Sequence, residues 1–366
     1  MRRRSVDSPF LITLAGLLVF GLLMLLSASS PSGYQKFSDT WYFFKHQLLY
    51  GVLPGTVLFF LLSRIDYRRL KPLAGAGLLV SILLLVMVFL PGLGLKFGGS
   101  ERWVKLGPIA FQPSEFVKIT FIFYLAAWFA AREKLAKTLE AGLLPFILAL
   151  AMIAGLLILQ PNTGSMAVIA GAAVLMYFIA GAPWGWFGVF GLGAGALLWL
   201  LIRLTPYRAA RFLTFLHPEL DPKGIGYHIN QAYLAIGSGG LFGVGYGHSR
   251  QKYLYLPEAS SDSIFAVMAE ELGFFVVVAF ICALGFLIHR IFHISQNAPD
   301  LFGRYLTAGI GSWIAIQSIL NVASMVGLMP MTGVTLPFVS YGSSAFLAIA
   351  IGMGLVASVS RFTSVP

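Results

Sequence analysis

The stretch "YLPEASSDSIFA", residues 255–266, places two carboxylates, Glu258 and Asp262, four residues apart among small polar residues in an otherwise apolar chain. A carboxylate so placed can act as general base toward a hydroxyl, and cationic groups nearby can stabilise a departing phosphate. Arg208 and Arg211 in "YRAARF" and Arg102 in "SERWVKLGPIAFQPSEF" are candidates for that second role. Guanidinium groups bind phosphate through forked hydrogen bonds, although arginines near a bilayer also serve as headgroup anchors. Glu115 and Lys118 in "QPSEFVKI" are three apart at the start of a helix, so they share a face and can pair, either as a snorkelling interfacial pair or as a cavity wall. Glu270 and Glu271 are adjacent, and one helix cannot aim both the same way, so at least one needs a polar neighbour or a proton. Near the C-terminal end, "MPMTGVTLPFVSYGSS", residues 329–344, breaks helix between two apolar runs, which is tolerated at membrane depth only where backbone is buried or lines a cavity. We read it, with Ser340, as a wall of the same cavity, above Gln317 and Asn321 on the preceding helix.

Other chemistries lack a motif. The glycine-rich "GSGGLFGVGYG", residues 237–247, matches neither the phosphate loop nor the dinucleotide fingerprint, and close backbone packing or a re-entrant turn explains it better. The six histidines show no paired metal spacing, no serine nucleophile elbow is present, and the single cysteine, Cys282, excludes disulfides within the chain.

The elements that must position these residues are membrane helices. The chain has 366 residues, 58% hydrophobic and 11% charged, with apolar runs of about 20 residues, the length that spans a bilayer as helix. The fold class is therefore all-α, a polytopic membrane protein with ten helices at roughly 10–29, 45–64, 73–92, 115–132, 143–160, 165–182, 186–204, 264–292, 303–328 and 340–361. The first run, lacking a small-residue cleavage site, reads as a retained helix. Placing Arg2, Arg3 and Arg4 in the cytoplasm puts Arg64, Arg68, Arg69, Lys71, Arg132, Lys134, Lys137, Arg290, Arg304 and Arg361 there too. The short opposite loops hold only Lys36, Lys45, Lys96, Arg102 and Lys105, which satisfies the positive-inside rule with both termini cytoplasmic. A long segment, about 205–263, then faces outward, carrying Glu219, Asp221 and Lys223 besides the residues above, and is too short for a core of its own. Residues 1–366 read as a single domain, a helical bundle with an outer lid. Net charge of +11 sits at span ends and in loops, which favours anionic lipids over nucleic acid.

With no ATP motif, a reaction on the outer face must use an activated substrate already in the membrane, and lipid-linked sugar pyrophosphates meet that need. A transporter fits the same charges. Four ordered stretches go further: "RWVKLGPIAFQPSEFVK", "QPNTGS", "AIGSGGLFGVGYGHSRQKYLYLPEASSDSIFAVMAEELG" and "GLMPMTGVTLPFVSYGSS" resemble, over nearly the whole chain, the SEDS family that includes FtsW, RodA and SpoVE.

The resemblance implies a ten-helix peptidoglycan glycosyltransferase in the bacterial cytoplasmic membrane, polymerising lipid II on the outer face with a class B penicillin-binding protein and other divisome or elongasome membrane proteins. It implies a divalent cation, Mg or Mn, as cofactor. Asp262 matches the acid the family regards as essential, and would take the proton of the acceptor's GlcNAc 4-hydroxyl as undecaprenyl pyrophosphate leaves with inversion. Glu258 would orient or bind a cation, and Glu115 and Lys118 match the polar pair of the proline-serine-glutamate motif. Three stretches depart from the family pattern: Ser260 and Ser261 replace a histidine and threonine, Asn162 an aspartate, and Ser343 a glycine. The acidic stretch leans toward the FtsW type. A lipid II flippase and a non-catalytic scaffold for the transpeptidase are the competing readings.

Overall fold

The computed structural model describes residues 5–97, 100–107, 109–134, 137–218 and 224–363. Arg2, Arg3, Arg4, Glu219, Asp221 and Lys223 lie outside the described residues, as does the side chain of Lys96. In chain order the elements are α1 (Ser8–Phe37), α2 (Tyr42–Arg64), α3 (Tyr67–Met87), strands β1 (Gly94–Phe97), β2 (Ser100–Leu106) and β3 (Ile109–Phe111), then α4 (Pro113–Ala131), α5 (Leu139–Leu159), α6 (Thr163–Ile179) and α7 (Gly185–Leu204). Two shorter helices follow, α8 (Pro206–Leu216) and α9 (Ile225–Gly239), and then α10 (Ile264–Gln296), α11 (Leu301–Met325) and α12 (Ser343–Ser360). Among the described residues nine of these helices are long and apolar enough to cross a membrane, and the 17-residue α6 supplies the tenth apolar segment. The polytopic all-α expectation holds, because in hydrocarbon a helix satisfies its own backbone. Side-chain capping helps at several helix starts: the Asp7 carboxylate accepts from the Phe10 N–H and that of Asp300 from the Gly303 N–H, both at 2.8 Å.

The structure adds what hydropathy does not register. The segment ahead of α4 folds as an antiparallel sheet in the order β1-β2-β3, with Val104 opposite both Gly94 and Phe111. The outer segment is not one lid but α8, α9 and an ordered run of turns from 240 to 263.

Helix α11 forms the centre. Its Ile310, Trp313 and Ile314 are fully buried, and it packs against α4, α6 and α10, while α12 lies along α2. Glycine permits two of these approaches: a Cβ at Gly309 would stand 2.5 Å from the Met176 sulfur, and one at Gly354 2.9 Å from the Phe59 carbonyl oxygen. Helix α7 sits on the rim and buries only Leu201.

The glycine-rich stretch does pack backbone against backbone, and it does so at a break in α10. Gly273 has φ 75° and ψ 179°, which interrupts the helix, and the freed groups pair outward. The N–H groups of Val244 and Gly245 donate to the carbonyls of Glu270 and Glu271, and those of Phe274 and Phe275 donate to Gly240 and Leu241. Contact this close leaves no room for a side chain, since a Cβ on Gly243 would lie 2.2 Å from the Glu271 carbonyl oxygen. Gly243→Ala is therefore expected to abolish accumulation of folded protein, measured as the monodisperse peak after detergent extraction. Gly247→Ala, also at positive φ but with nothing within 4 Å of the new atom, is expected to cost only about 1–2 kcal/mol and to accumulate.

Candidate functional site

Asp262 stands one residue before the N-cap of α10, and three consecutive carbonyls in front of that helix are held by three different groups. The Ser260 carbonyl accepts from the Tyr341 N–H at 2.8 Å, that of Ser261 from the Ser340 hydroxyl at 2.6 Å, and that of Asp262 from the Asn321 amide at 2.8 Å. Asn321 spends its second amide proton on the Val334 carbonyl, 2.7 Å away, so one side chain ties the acidic turn to the 329–344 loop. That loop thus packs against the acidic turn, and Ser340 and Asn321 act on backbone. The turn itself is tight, with Leu254 at φ 70° and Glu258 at φ 50°, a conformation that costs a non-glycine residue about 1–2 kcal/mol.

The Asp262 carboxylate is partly exposed and accepts no hydrogen bond from the described residues. Loss of hydration and then the charge of Glu258 push it up to about 6, while Arg211 and Arg102 pull it down without prevailing. Both arginines are oriented by main chain: Arg211 Nη1 donates to the Met331 carbonyl at 3.1 Å, and Arg102, delivered by β2, donates to the Pro161 carbonyl. Arg208 turns elsewhere, donating to the Thr205 hydroxyl and the Ile158 carbonyl, and its charge is not among those felt at Asp262. Glu258 is exposed and accepts from the Ser261 hydroxyl at 2.9 Å. Of the residues singled out in sequence, Asp262, Glu258, Arg102, Arg211, Asn321 and Ser340 come together.

Glu115 and Lys118 lie in a closed layer. Lys118 is 1% exposed and Glu115 5%, so they are not a snorkelling pair. Lys118 Nζ donates to Glu115 Oε1 at 2.7 Å and to Gln317 Oε1 at 2.9 Å; Gln317 in turn donates to the Thr335 carbonyl at 2.9 Å. Through Gln317 the pair braces the 329–344 loop. Glu115 Oε2 is buried and has no hydrogen-bond partner. Asn162, where the resemblance leads one to expect an aspartate, caps α6 by accepting from the Ser165 N–H at 3.3 Å, and donates to the Ser114 hydroxyl at 3.0 Å.

The two acids of α10 both find polar neighbours. Glu270 accepts from the Ser249 hydroxyl and from the N–H groups of Arg250 and Gln251. Glu271 accepts from Ser27 and from Lys252, each at 2.7 Å, and Lys252 also donates to Ser27 and to the Gly247 carbonyl. This network pins the turns that precede Asp262 onto α10 and α1. Lys252, only 2% exposed, carries no local signal in sequence, because its side-chain partners lie 19 and 225 residues away.

Fold and site together define a polytopic membrane protein with a partly open carboxylate, on a turn with clamped main chain, at one extramembrane face. The chain belongs to the cell cycle protein family of FtsW, RodA and SpoVE, whose model matches residues 8–365. It is 37% identical to stage V sporulation protein E of Bacillus subtilis, covering 99% of each chain. It is 38% identical to the probable peptidoglycan glycosyltransferase FtsW of Trichlorobacter lovleyi, covering 98% of this chain and 94% of the relative. Among solved structures, a chain described under "Structural coordination of polymerization and crosslinking by a peptidoglycan synthase complex" superposes with a TM-score of 0.80 at 29% identity, covering 97% of this chain and 98% of that one. The rod shape determining protein RodA of Thermus thermophilus superposes with a TM-score of 0.72 at 28% identity, covering 99% and 98%.

Proposed function

We propose that Asp262 is the general base of this chain, a peptidoglycan glycosyltransferase that polymerises lipid II on the outer face of the cytoplasmic membrane. The observation that carries the assignment is the carboxylate itself, borne on a turn whose main-chain carbonyls are clamped, partly open, and raised to about 6. A base with a pKa near working pH combines an ionised majority with a strong pull on the proton. Asp262 takes the proton of the acceptor's 4-hydroxyl as that oxygen bonds to the donor's anomeric carbon; the anomeric carbon–oxygen bond breaks, and undecaprenyl pyrophosphate leaves with inversion. Arg102 and Arg211, held by carbonyls beside the carboxylate, stabilise the charge gathering on the pyrophosphate. Arg208 contributes at most to the rim of the donor site.

Among the described residues no group of three His, Cys, Asp or Glu side chains is arranged to hold a metal. Hard divalent cations such as Mg or Mn need only one or two carboxylates when waters and substrate phosphates complete the shell, and the exposed Glu258 beside Asp262 fits that requirement. Such an ion would add positive charge at the pyrophosphate. The positive-inside count supports cytoplasmic termini, and a class B penicillin-binding protein is the partner this reading includes.

The test uses the full chain with its partner in proteoliposomes carrying lipid II. Glycan strands should appear on a gel, and the rate should fall as pH drops through about 6, because the carboxylate must be ionised to accept a proton. Transbilayer movement of lipid II without strands would overturn the polymerase in favour of a flippase. Strand synthesis with no acid limb would overturn Asp262 as base.

A further inference from the structure

Ser263 occupies the N-cap of α10, where a serine hydroxyl ordinarily accepts from a backbone N–H of the first turn, yet it makes no capping bond. Its Oγ is fully buried and lies 2.9 Å from the Pro257 carbonyl oxygen and 2.7 Å from Nε2 of His228 on α9. The hydroxyl has one proton and a carbonyl only accepts, so both contacts are satisfied only if Ser263 donates to Pro257 while His228 presents Nε2 as an N–H. The histidine thereby fixes the direction of the serine proton.

That proton closes the turn from Pro257 to Ser263. Two further closures are backbone bonds, from the N–H groups of Ser261 and Ser263 to the Glu258 carbonyl, formed at a residue in the left-handed region. We propose that His228 is a positioning residue for glycosyl transfer: through Ser263 and Pro257 it locks the acidic turn and sets the direction of Asp262, the residue next to Ser263. The inference rests on Asp262 being the base. It belongs to the outer segment alone, and nothing in residue spacing marks it, since His228 and Ser263 are 35 residues apart.

The charged groups facing the imidazole agree with this role. Loss of hydration pushes His228 down to about 4, with Glu258 on the turn raising it and Arg211 on α8 lowering it further. The ring is neutral at working pH and holds one proton, on Nε2. A histidine that shuttled protons would need a pKa closer to neutrality.

The experiment compares wild type, His228→Ala, His228→Gln and Ser263→Ala as full chains with the partner protein and lipid II, reading kcat, KM and the acid limb of kcat. Glutamine sets an amide nitrogen close to the position of the ring Nε2 and donates from it. His228→Ala is expected to lower kcat about tenfold or more with KM within about twofold, since a loosened base loses alignment. Its acid limb should move to lower pH, because a freed carboxylate regains water. His228→Gln should restore both kcat and limb, and Ser263→Ala should reproduce His228→Ala. A glutamine variant as impaired as alanine overturns the proposal, as does a fall in kcat with the limb unmoved, or an alanine variant with wild-type kcat. If His228→Ala does not fold, the glutamine and Ser263→Ala variants carry the same test. Failure of the base assignment would look different: wild type itself would lack the limb, and Asp262→Asn would still make strands.

Discussion

Asp262→Asn is expected to cut strand synthesis by about 10²–10⁴-fold, the usual contribution of a positioned general base, while raising thermal stability near neutral pH. The two effects share one cause. Asparagine keeps the shape of the side chain and leaves the three clamped carbonyls untouched, but it cannot take up a proton. Folding raises the Asp262 pKa from its ordinary value to about 6, so the folded state favours the neutral acid. Below the ordinary value both states are protonated and nothing is lost; as pH rises to about 6 the unfolded chain ionises more readily, and above that the penalty is complete, at most about 3 kcal/mol. The melting temperature of Asp262→Asn should exceed wild type at pH 7.5, and the gap should narrow toward pH 4. A rate within tenfold of wild type, or a variant less stable at pH 7.5, would contradict the assignment.

Lys118→Met has the second large effect, on folding. The substitution strips Glu115 Oε1 of its donor in a layer where Oε2 already has none, leaving a carboxylate that must stay buried as an anion or take a proton. Removing one partner of a buried pair costs about 3–5 kcal/mol. Yield after extraction and melting temperature should both drop, and adding Glu115→Gln should recover most of the loss, because the remaining group is then neutral. Gln317 keeps the Trp313 indole N–H at 2.7 Å in either background, so the loop it holds stays in place. A Lys118→Met protein with wild-type stability and no activity would show instead that the pair faces substrate.

Much of the architecture was legible because hydrocarbon imposes a simple rule. A run of about 20 apolar residues becomes a helix, and ten such runs were readable from length alone, with errors confined to ends. The last helix starts at Ser343 rather than near 340 because Ser340 and Tyr341 are drawn out to hold the acidic turn. The sheet ahead of α4 escaped because hydropathy counts residues and not their alternation, although Gly98 and Gly99 between "LKF" and "SERWVKL" are a hairpin signal. The two acids of the opening stretch stood out as charge in an apolar chain. What held them did not: Asn321, Ser340 and Tyr341 reach Asp262 and its neighbours across 59 to 81 residues of sequence, and no local pattern encodes contacts of that span. Arg208 and Arg211 look equivalent on paper, one turn apart, and only the path of α8 sends one toward Asp262 and the other away.

Three groups that fasten the acidic turn, at positions 321, 340 and 341, all come from the final part of the chain. During synthesis the ribosome delivers Asp262 well before any of them. A nascent polypeptide halted after α10 therefore has the acid and lacks these three fastenings, so the acidic turn reaches its full set of ties only once the closing helices have entered the bilayer.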